Sequence, residues 1–280
     1  MQSYKFNYFL LLCLLMMLSA LTQAQQRIVA LSPAINEILF AIGAGKMVVA
    51  NTDYSNYPPE SKNLPKVGGY FYTNLEQILA IDPTLVIAHN HDPRLLAKLQ
   101  AMQIQTVTVG MQQLNDIITG IETIGIAVDQ KAAAMELATT IRLKINQLKQ
   151  TIKPSQRKIL VVFGTEMNTQ QGVYVSGNSL YFEDIIKLVG CQNAFNNPLV
   201  KQPLLTTEGI LAIEPDSVII LAYDTQITGD NDVMQYWQNL AIPAAKMQQI
   251  YILHHDYAAI PSHRIVYLID DFLKICQQLD

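Results

Sequence analysis

Basic side chains are scarce in this sequence. Its 280 residues include 19 lysines and arginines against 23 aspartates and glutamates. If Lys5 is lost with an N-terminal leader, 18 basic side chains remain and the net charge is −5. No run or cluster of basic residues occurs, so we expect neither a nucleic-acid partner nor an anionic-membrane partner.

The sequence also lacks the short motifs that accompany common catalytic sites. It contains no Gly-x-Ser-x-Gly nucleophile motif and no phosphate-binding P-loop. The segment Gly43-Ala44-Gly45 lacks the third glycine of a dinucleotide fingerprint and does not directly follow a predicted strand. We therefore expect a protein that is not an enzyme. The alternative is a metal-dependent hydrolase that uses His89 and His91, because His-x-His is a common spacing of metal ligands.

Cysteine is rare as well, and the first of the three lies in a leader. Residues 1–24 combine one basic residue, an apolar run of about a dozen residues and a small-residue site, which predicts a secretory signal peptide cleaved after Ala24. The apolar run is too short for a comfortable membrane span, and no later segment is long enough. Cys191 and Cys276 remain, and in an oxidising compartment they either form a disulfide or stay as buried thiols.

Short apolar, β-branched runs alternate with helical stretches along the rest of the chain. The strand candidates are RIVAL, MVVA, TLVIAH, QTVTV, KILVVFG, DSVIILA and QIYIL. Ser32 and Pro33 supply the N-cap and the first-turn proline of a helix that ends at Gly43 or Gly45. This alternation predicts an α/β fold with mostly parallel sheets and helices on both faces.

A long segment in the middle of the chain has neither glycine nor proline. From Asp129 to Gln150, apolar residues at positions 134, 138, 141, 145 and 148 form one stripe on a predicted helix. Its composition is not that of a flexible linker, so we expect a rigid helix that bridges two Rossmann-like lobes. The predicted divisions are a signal peptide at 1–24, an N-terminal lobe at 25–127, the bridging helix at 128–153 and a C-terminal lobe at 154–280.

One stretch of fifteen residues occurs twice, 132 residues apart. NLEQILAIDPTLVIA at 74–88 and TTEGILAIEPDSVII at 206–220 are identical at eight positions. In each copy a predicted helix leads through Asp-Pro or Glu-Pro into a buried strand. Helix packing on a parallel strand explains the recurring apolar residues. It does not explain why Glu76 and Glu208 recur on the first turns of the two helices.

Aromatic and histidine side chains gather where strands are predicted to end. The N-terminal half carries four tyrosines on loops: Tyr54, Tyr57, Tyr70 and Tyr72. Loops that follow strands in α/β folds bind ligands, and tyrosine suits a large, planar, partly polar one; alternatively, the rings cover the core of their own loop. His254 and His255 follow the last predicted strand, where an exposed imidazole could bind the metal of heme or of a corrinoid.

Three segments carry a resemblance to a known family: LSPAINEILFAIGAG, YSNYPPESKNLPKVGGY and NLEQILAIDPTLVIA. With them the sequence resembles the periplasmic cobalamin-binding proteins of bacterial ABC importers, in the long-helix class of substrate-binding proteins that also serves heme and iron–siderophore uptake. The resemblance covers essentially the whole chain after the leader, and SHRIVYLIDDFLKICQQLD looks like the last helix of the family. It implies two α/β lobes, one bridging helix and one ligand in the cleft between the lobes.

The resemblance also implies roles for individual residues. Glu76 and Glu208 match the glutamates, one per lobe, that dock onto arginines of the membrane permease dimer. Cys191 and Cys276 lie a few residues from the disulfide positions of the family, which favours a bridge. Two positions depart from the family, because Tyr70 and Gln202 each stand where the cobalamin binders have a tryptophan. The residues that match cleft positions, and are expected to contact the ligand, are Tyr54, Tyr70, Phe163, Tyr174, Gln202 and Asp256.

What the resemblance implies overall is a monomeric periplasmic protein that captures cobalamin and delivers it to an ABC importer. We expect no cofactor and no resident metal. Heme is the alternative ligand, with Tyr54, Tyr70, His254 or His255 as axial ligands. Ferric siderophores are less favoured because basic residues are scarce in the expected cleft. A structural or adhesive domain would bind none of these ligands.

Overall fold

The N-terminal lobe is built on one parallel sheet. The computed structural model describes residues 26–69, 72–89, 92–165, 172–222 and 229–278. The sheet has the order β2-β1-β3-β4 and consists of β1 (Ile28–Ala30), β2 (Val48–Asn51), β3 (Leu85–His89) and β4 (Gln105–Val109). The helices of this lobe are α1 (Pro33–Ala41), α2 (Leu75–Ala80), α3 (Pro93–Ala101) and α4 (Leu114–Ala127). Strands β1 and β3 are buried throughout, as expected for central strands covered by helices on both faces.

The C-terminal lobe contains a second parallel sheet and a small antiparallel pair. The parallel sheet has the order β10-β9-β5-β7 and consists of β5 (Lys158–Phe163), β7 (Gln192–Asn193), β9 (Ser217–Leu221) and β10 (Ile250–Leu253). The antiparallel pair is β6 (Val173–Tyr174) with β8 (Leu204–Leu205). The helices are α6 (Tyr181–Leu188), α7 (Thr207–Ile213), α8 (Asp230–Gln238), α9 (Pro243–Lys246) and α10 (Ile265–Gln277). All seven predicted strands are present, whereas the sequence does not predict β6, β7 and β8, because two residues show no periodicity.

The duplicated stretch forms the same structural unit in both lobes. Helix α2 and strand β3 are the first copy, and α7 and β9 are the second. Asn74 and Thr206 cap the two helices through their side-chain oxygens, and the residue before each proline, Asp82 or Glu214, has a left-handed φ of 51° or 48°. When β1, β2, β3 and β4 are matched with β5, β7, β9 and β10, the two sheets have the same strand order. The lobes are therefore structural duplicates.

Helix α5 (Lys131–Thr151) is the long bridging helix. Its predicted apolar stripe is buried at all five positions, which are Ala134, Ala138, Ile141, Ile145 and Leu148. The stripe belongs to one apolar cluster that also contains buried side chains of both lobes. Helix α4 approaches α5 so closely that a Cβ on Gly125 would lie 2.1 Å from the Cβ of Ala134. The two lobes therefore share a core that runs along α5.

A disulfide joins Cys191, just after α6, to Cys276 in the last turn of α10. Both cysteines are buried, so the bridge ties the C-terminal helix to the body of its lobe, and of the two alternatives that the sequence left open, the one that the family resemblance favours is present. The predicted signal peptide lies outside the described residues. Within the described ranges, no helix is long and apolar enough to cross a bilayer.

Removing the disulfide should lower stability. The two cysteines are 85 residues apart, and a cross-link that closes such a loop restricts the unfolded chain. We expect Cys191→Ala with Cys276→Ala to lower the free energy of unfolding by about 2–4 kcal/mol, measured by urea unfolding with circular dichroism. Wild-type protein treated with reductant is the matched control and should unfold like the double variant. Equal unfolding free energies for the oxidised wild type and the double variant would contradict this role.

Candidate functional site

Loops at the carboxyl ends of the two sheets touch each other at two points, and these points bound the cleft between the lobes. On one side, Arg264 at the start of α10 lies over the ring of Tyr57, which follows β2, at 3.9 Å from the ring centroid. On the other side, Lys201 Nζ donates to Oε1 of Gln112, which follows β4, at 2.9 Å. Each contact joins one lobe to the other. Because α/β folds bind ligands at the carboxyl ends of their strands, this cleft is the candidate site.

Arg264 connects the two lobes through a network of hydrogen bonds. Its Nε donates to Glu37 Oε2 at 2.9 Å, and its Nη2 donates to Glu37 Oε1. Its Nη1 donates to Asp256 Oδ1 at 2.7 Å, and the Ser262 hydroxyl also donates to Glu37. The side chains of Glu37 and Arg264 are 1% and 5% exposed. A buried ion pair therefore joins α1 of the N-terminal lobe to the start of α10 in the C-terminal lobe.

Burial is the largest single influence on the pKa of each of these groups. It raises the pKa of Glu37, although hydrogen bonds from Arg264 and Ser262 act in the opposite direction. Burial lowers the pKa of Arg264, but its bonds to Glu37 and Asp256 outweigh that effect and the net direction is upward. Burial, together with the charge of Arg264, lowers the pKa of His263 to about 4. At neutral pH the positive charge of this network therefore resides on Arg264 and not on His263.

Tyrosines on the loop segments that follow β2 in the N-terminal lobe are exposed to solvent. Tyr54 is 74% exposed and has a φ of 62°, a conformation that is uncommon outside glycine. Tyr57 and Tyr72 are exposed by 37% and 67%. These rings therefore do not simply cover the core of their own loop. Tyr70 lies outside the described residues.

The predicted ligand-contacting residues of the C-terminal lobe lie near the ends of its strands. Phe163, the last residue of β5, is partly buried and meets Phe182 edge-on with centroids 5.5 Å apart. Tyr174 on β6 is 55% exposed, and Gln202, just before β8, is exposed. Asp256 follows β10 and is exposed, with one oxygen held by Arg264. Their contact with a ligand stays a prediction.

His89 is buried within the N-terminal lobe at the end of β3. Its Nδ1 lies 3.3 Å from the carbonyl oxygen of Val109, and its Nε2 lies 2.9 Å from the Ser32 hydroxyl. Since a carbonyl can only accept, Nδ1 carries the proton and Nε2 accepts from Ser32. Both nitrogens are used inside the lobe, which does not favour metal binding by His89, and His91 lies outside the described residues. Elsewhere in the described ranges, no group of three or more His, Cys, Asp or Glu side chains could hold a metal ion.

The double histidine after β10 is exposed to solvent. His254 Nε2 lies 2.8 Å from Asp230 Oδ2, and the His255 ring stacks on Tyr257 with centroids 4.8 Å apart. Neither contact buries the imidazole. A role for either histidine as an axial ligand of heme stays a prediction.

A cavity of about 630 Å³ lies apart from these residues, between α4, α5 and α6. Apolar side chains such as Ile118, Ile145 and Leu188 line it, together with the cations Arg142 and Lys149. None of the described residues that are predicted to contact a ligand lines this cavity. It is therefore distinct from the cleft at the strand ends.

Neither Glu37 nor Arg264 was predicted from the sequence as part of the site. A signal was present for Glu37, because it interrupts the apolar helix AINEILFAIG and a buried acid requires a partner. The partner lies 227 residues away, and no periodicity connects the two positions.

Residues 28–257 match the family model for periplasmic binding proteins. The chain belongs to the periplasmic binding protein family. Among curated relatives, the vitamin B12-binding protein of Pectobacterium carotovorum is 27% identical over 241 residues, which are 84% of this chain and 84% of that protein. The vitamin B12-binding protein of Yersinia pestis is 25% identical over 270 residues, which are 95% of this chain and 90% of that protein.

Solved structures of other proteins share the two-lobed fold of this periplasmic binding protein. The periplasmic vitamin B12 binding protein BtuF of Vibrio cholerae has a TM-score of 0.78 at 22% identity, and the match covers 91% of this chain and 97% of the BtuF chain. The periplasmic heme-binding protein RhuT from Roseiflexus sp. RS-1 has a TM-score of 0.79 at 24% identity, and the match covers 91% of this chain and 99% of the RhuT chain. At these identities the similarity establishes the fold alone.

The ion pair between the lobes should matter more to stability than ion pairs at the surface. Glu37→Ala would leave the Arg264 charge buried without its partner, and we expect the free energy of unfolding to fall by about 3–5 kcal/mol. Arg142→Met is the matched control, because Arg142 and Glu122 form an ion pair that is 40% and 27% exposed; it should cost at most about 1 kcal/mol. Urea unfolding measures both changes.

Charge burial can be separated from loss of packing with a third variant. Glu37→Met combined with Arg264→Met removes both charges and should recover much of the stability lost in Glu37→Ala. Similar small losses for Glu37→Ala and Arg142→Met would contradict the assignment of a buried pair.

Proposed function

We propose that this protein binds cobalamin in the cleft between its lobes and delivers it to an ABC importer. The observation that carries the proposal is the alignment with the vitamin B12-binding proteins of Pectobacterium and Yersinia, over 84% and 95% of the chain. The exposed tyrosines support it, because a large planar ligand needs flat apolar surfaces around it. The protein acts by binding alone and performs no chemistry on the ligand.

The two walls of the cleft contribute different groups in this proposal. Tyr54 and Tyr70 supply stacking surfaces from the N-terminal lobe, and Phe163 and Tyr174 supply apolar surface from the C-terminal lobe. Gln202 offers an amide in place of a further stacking surface. The Asp256 carboxylate gives one oxygen to Arg264 and uses the other to accept a hydrogen bond from an amide of the ligand.

The site is largely preformed. The buried Glu37–Arg264 pair holds the lobes together at one side of the cleft, and the shared core along α5 limits hinge motion. Affinity then comes from shape and stacking, with little ordering of the protein on binding.

Heme is the second candidate ligand. The fold similarity to a heme-binding protein at a TM-score of 0.79 and the exposure of Tyr54, His254 and His255 favour it.

A ferric siderophore is less favoured because cations are few at the cleft. A metal-dependent hydrolase is the least favoured reading, since both nitrogens of His89 have partners inside the protein; elemental analysis of the purified protein tests it directly.

Parallel calorimetric titrations with cyanocobalamin and hemin test the ligand. We expect one-to-one binding of cyanocobalamin to the chain from residue 25 to residue 280. Tyr54→Ala and Phe163→Ala should each weaken that binding by about tenfold or more, because each removes aromatic surface. The double substitution His254→Ala with His255→Ala is the control and should leave it unchanged. Binding of hemin alone, lost in the histidine variant, would replace cobalamin with heme, and binding of neither would reject both ligands.

The proposal places the protein in the periplasm as a monomer, after cleavage of the leader behind Ala24. There it meets the permease dimer of the importer. Glu76 and Glu208 are exposed at equivalent positions of α2 and α7. Hydrogen bonds from its own backbone N–H and from the Thr206 side chain hold the pKa of Glu208 below its usual value, so this carboxylate is charged at neutral pH. One glutamate per lobe suits a partner built from two like subunits, with each lobe docking on one of them.

Removing both docking glutamates should separate binding from delivery. We expect Glu76→Ala with Glu208→Ala to bind the ligand as the wild type does and to lose ligand uptake in reconstituted vesicles that contain the importer. Glu136→Ala, at an exposed glutamate of α5, is the control and should retain uptake. Loss of ligand binding in the double variant, or normal uptake by it, would refute the docking role.

A further inference from the structure

Strands β6 and β8 form an antiparallel pair with one face turned away from the core. The register pairs Val173 with Leu205 and Tyr174 with Leu204. Val173 is buried and Leu205 packs against the core, whereas Tyr174 and Leu204 are 55% and 47% exposed. Residues directly opposite each other in an antiparallel pair point to the same face, with Cβ atoms about 4.5–5.5 Å apart. Leu204 and Tyr174 therefore form one exposed apolar pair.

The pair lies beside the carboxyl end of β5, on a segment that also touches the N-terminal lobe. Its ladder continues with hydrogen bonds from Val175 N to Pro203 O at 3.0 Å and from Gly177 N to Lys201 O at 2.8 Å. Val175 is also bridged to Val162 in the carboxyl half of β5. At the far end of the same segment, the Lys201 side chain reaches Gln112 of the N-terminal lobe. The strand that carries Leu204 thus runs along the edge where the two lobes meet.

Glycine allows the close approach of this segment. Gly177 has no side chain, and a Cβ there would lie 2.0 Å from the carbonyl oxygen of Val200. The missing side chain lets residues 200–205 come close enough to pair with the chain that continues from β6. Leu204 is therefore presented on a defined strand and not on a loose loop.

We propose that Leu204 contacts the ligand together with Tyr174 and supplies aliphatic surface on the C-terminal wall of the cleft. This inference rests on the proposed function, since it deepens the description of the same site. A single exposed leucine needs no explanation, but a leucine fixed opposite an aromatic ring at the edge of the cleft forms a continuous apolar surface. That surface compensates for Gln202, which has no stacking face. The ligand class that fits it is a tetrapyrrole or corrinoid ring with apolar edges and methyl groups.

Affinity measurements on Leu204 variants test the inference. We expect Leu204→Ala to weaken cyanocobalamin binding about threefold, because apolar surface is lost, and Leu204→Asp to weaken it about tenfold or more, because a carboxylate then also faces the ligand. Leu143→Asp is the matched control, because Leu143 is a 64% exposed leucine on α5, and it should bind as the wild type does. Thermal unfolding should be the same for the two aspartate variants within about 2 °C.

A double-mutant cycle tests whether Tyr174 and Leu204 act on the ligand together, which a general loss of apolar surface would not show. If Tyr174 and Leu204 touch the same part of the ligand, the losses of affinity in Tyr174→Ala and Leu204→Ala should not multiply in the double variant. If the wild type binds cyanocobalamin and Leu204→Asp binds it with the same affinity, the inference is overturned and the proposed function stands. If that variant in addition loses ligand uptake, the leucine contacts the permease and not the ligand. Failure of the wild type to bind either cyanocobalamin or hemin would overturn the proposed function and the inference with it.

Discussion

Arg264 lies almost fully buried between the two lobes, and its charge is matched by Glu37 from the opposite lobe. Separating the lobes at this point would leave each charge without its partner, at a cost of several kcal/mol. The same guanidinium holds Asp256 and lies over the ring of Tyr57. One side chain therefore sets the spacing of the lobes and the orientation of two groups on the cleft.

The cleft is asymmetric although its frame is duplicated. Both lobes have the same strand order, the same capped helix and a glutamate at the same place on it. In the proposed site the walls differ, with exposed tyrosines on the N-terminal side and the Tyr174–Leu204 pair on the C-terminal side. This division agrees with two separate demands. Under the proposed function, a partner made of two like subunits would favour keeping the glutamates alike, whereas one asymmetric ligand would favour different walls.

The architecture was largely predictable from the sequence because it depends on local patterns. The buried stripe of α5, the N-cap at Ser32 and the seven longer strands each follow from periodicity or from capping chemistry that neighbouring residues reveal. The two-residue strands and the Glu37–Arg264 pair were not predictable, since they depend on contacts between distant segments. The placement of Leu204 belongs to the same class, because it follows from the register of β6 with β8. For Tyr54, Phe163 and Tyr174, the structure adds exposure and position, while their roles rest on the resemblance to cobalamin binders.

The apolar stripe of α5 has a consequence for the order in which the protein can fold. Helix α4 of the N-terminal lobe and helix α6 of the C-terminal lobe both pack on α5, and the stripe is covered only when both are in place. An N-terminal lobe that has folded by itself would carry α5 with part of its apolar surface in contact with water. Neither lobe is then a complete cooperative unit, because the stripe is shielded from water only when both lobes are packed on α5.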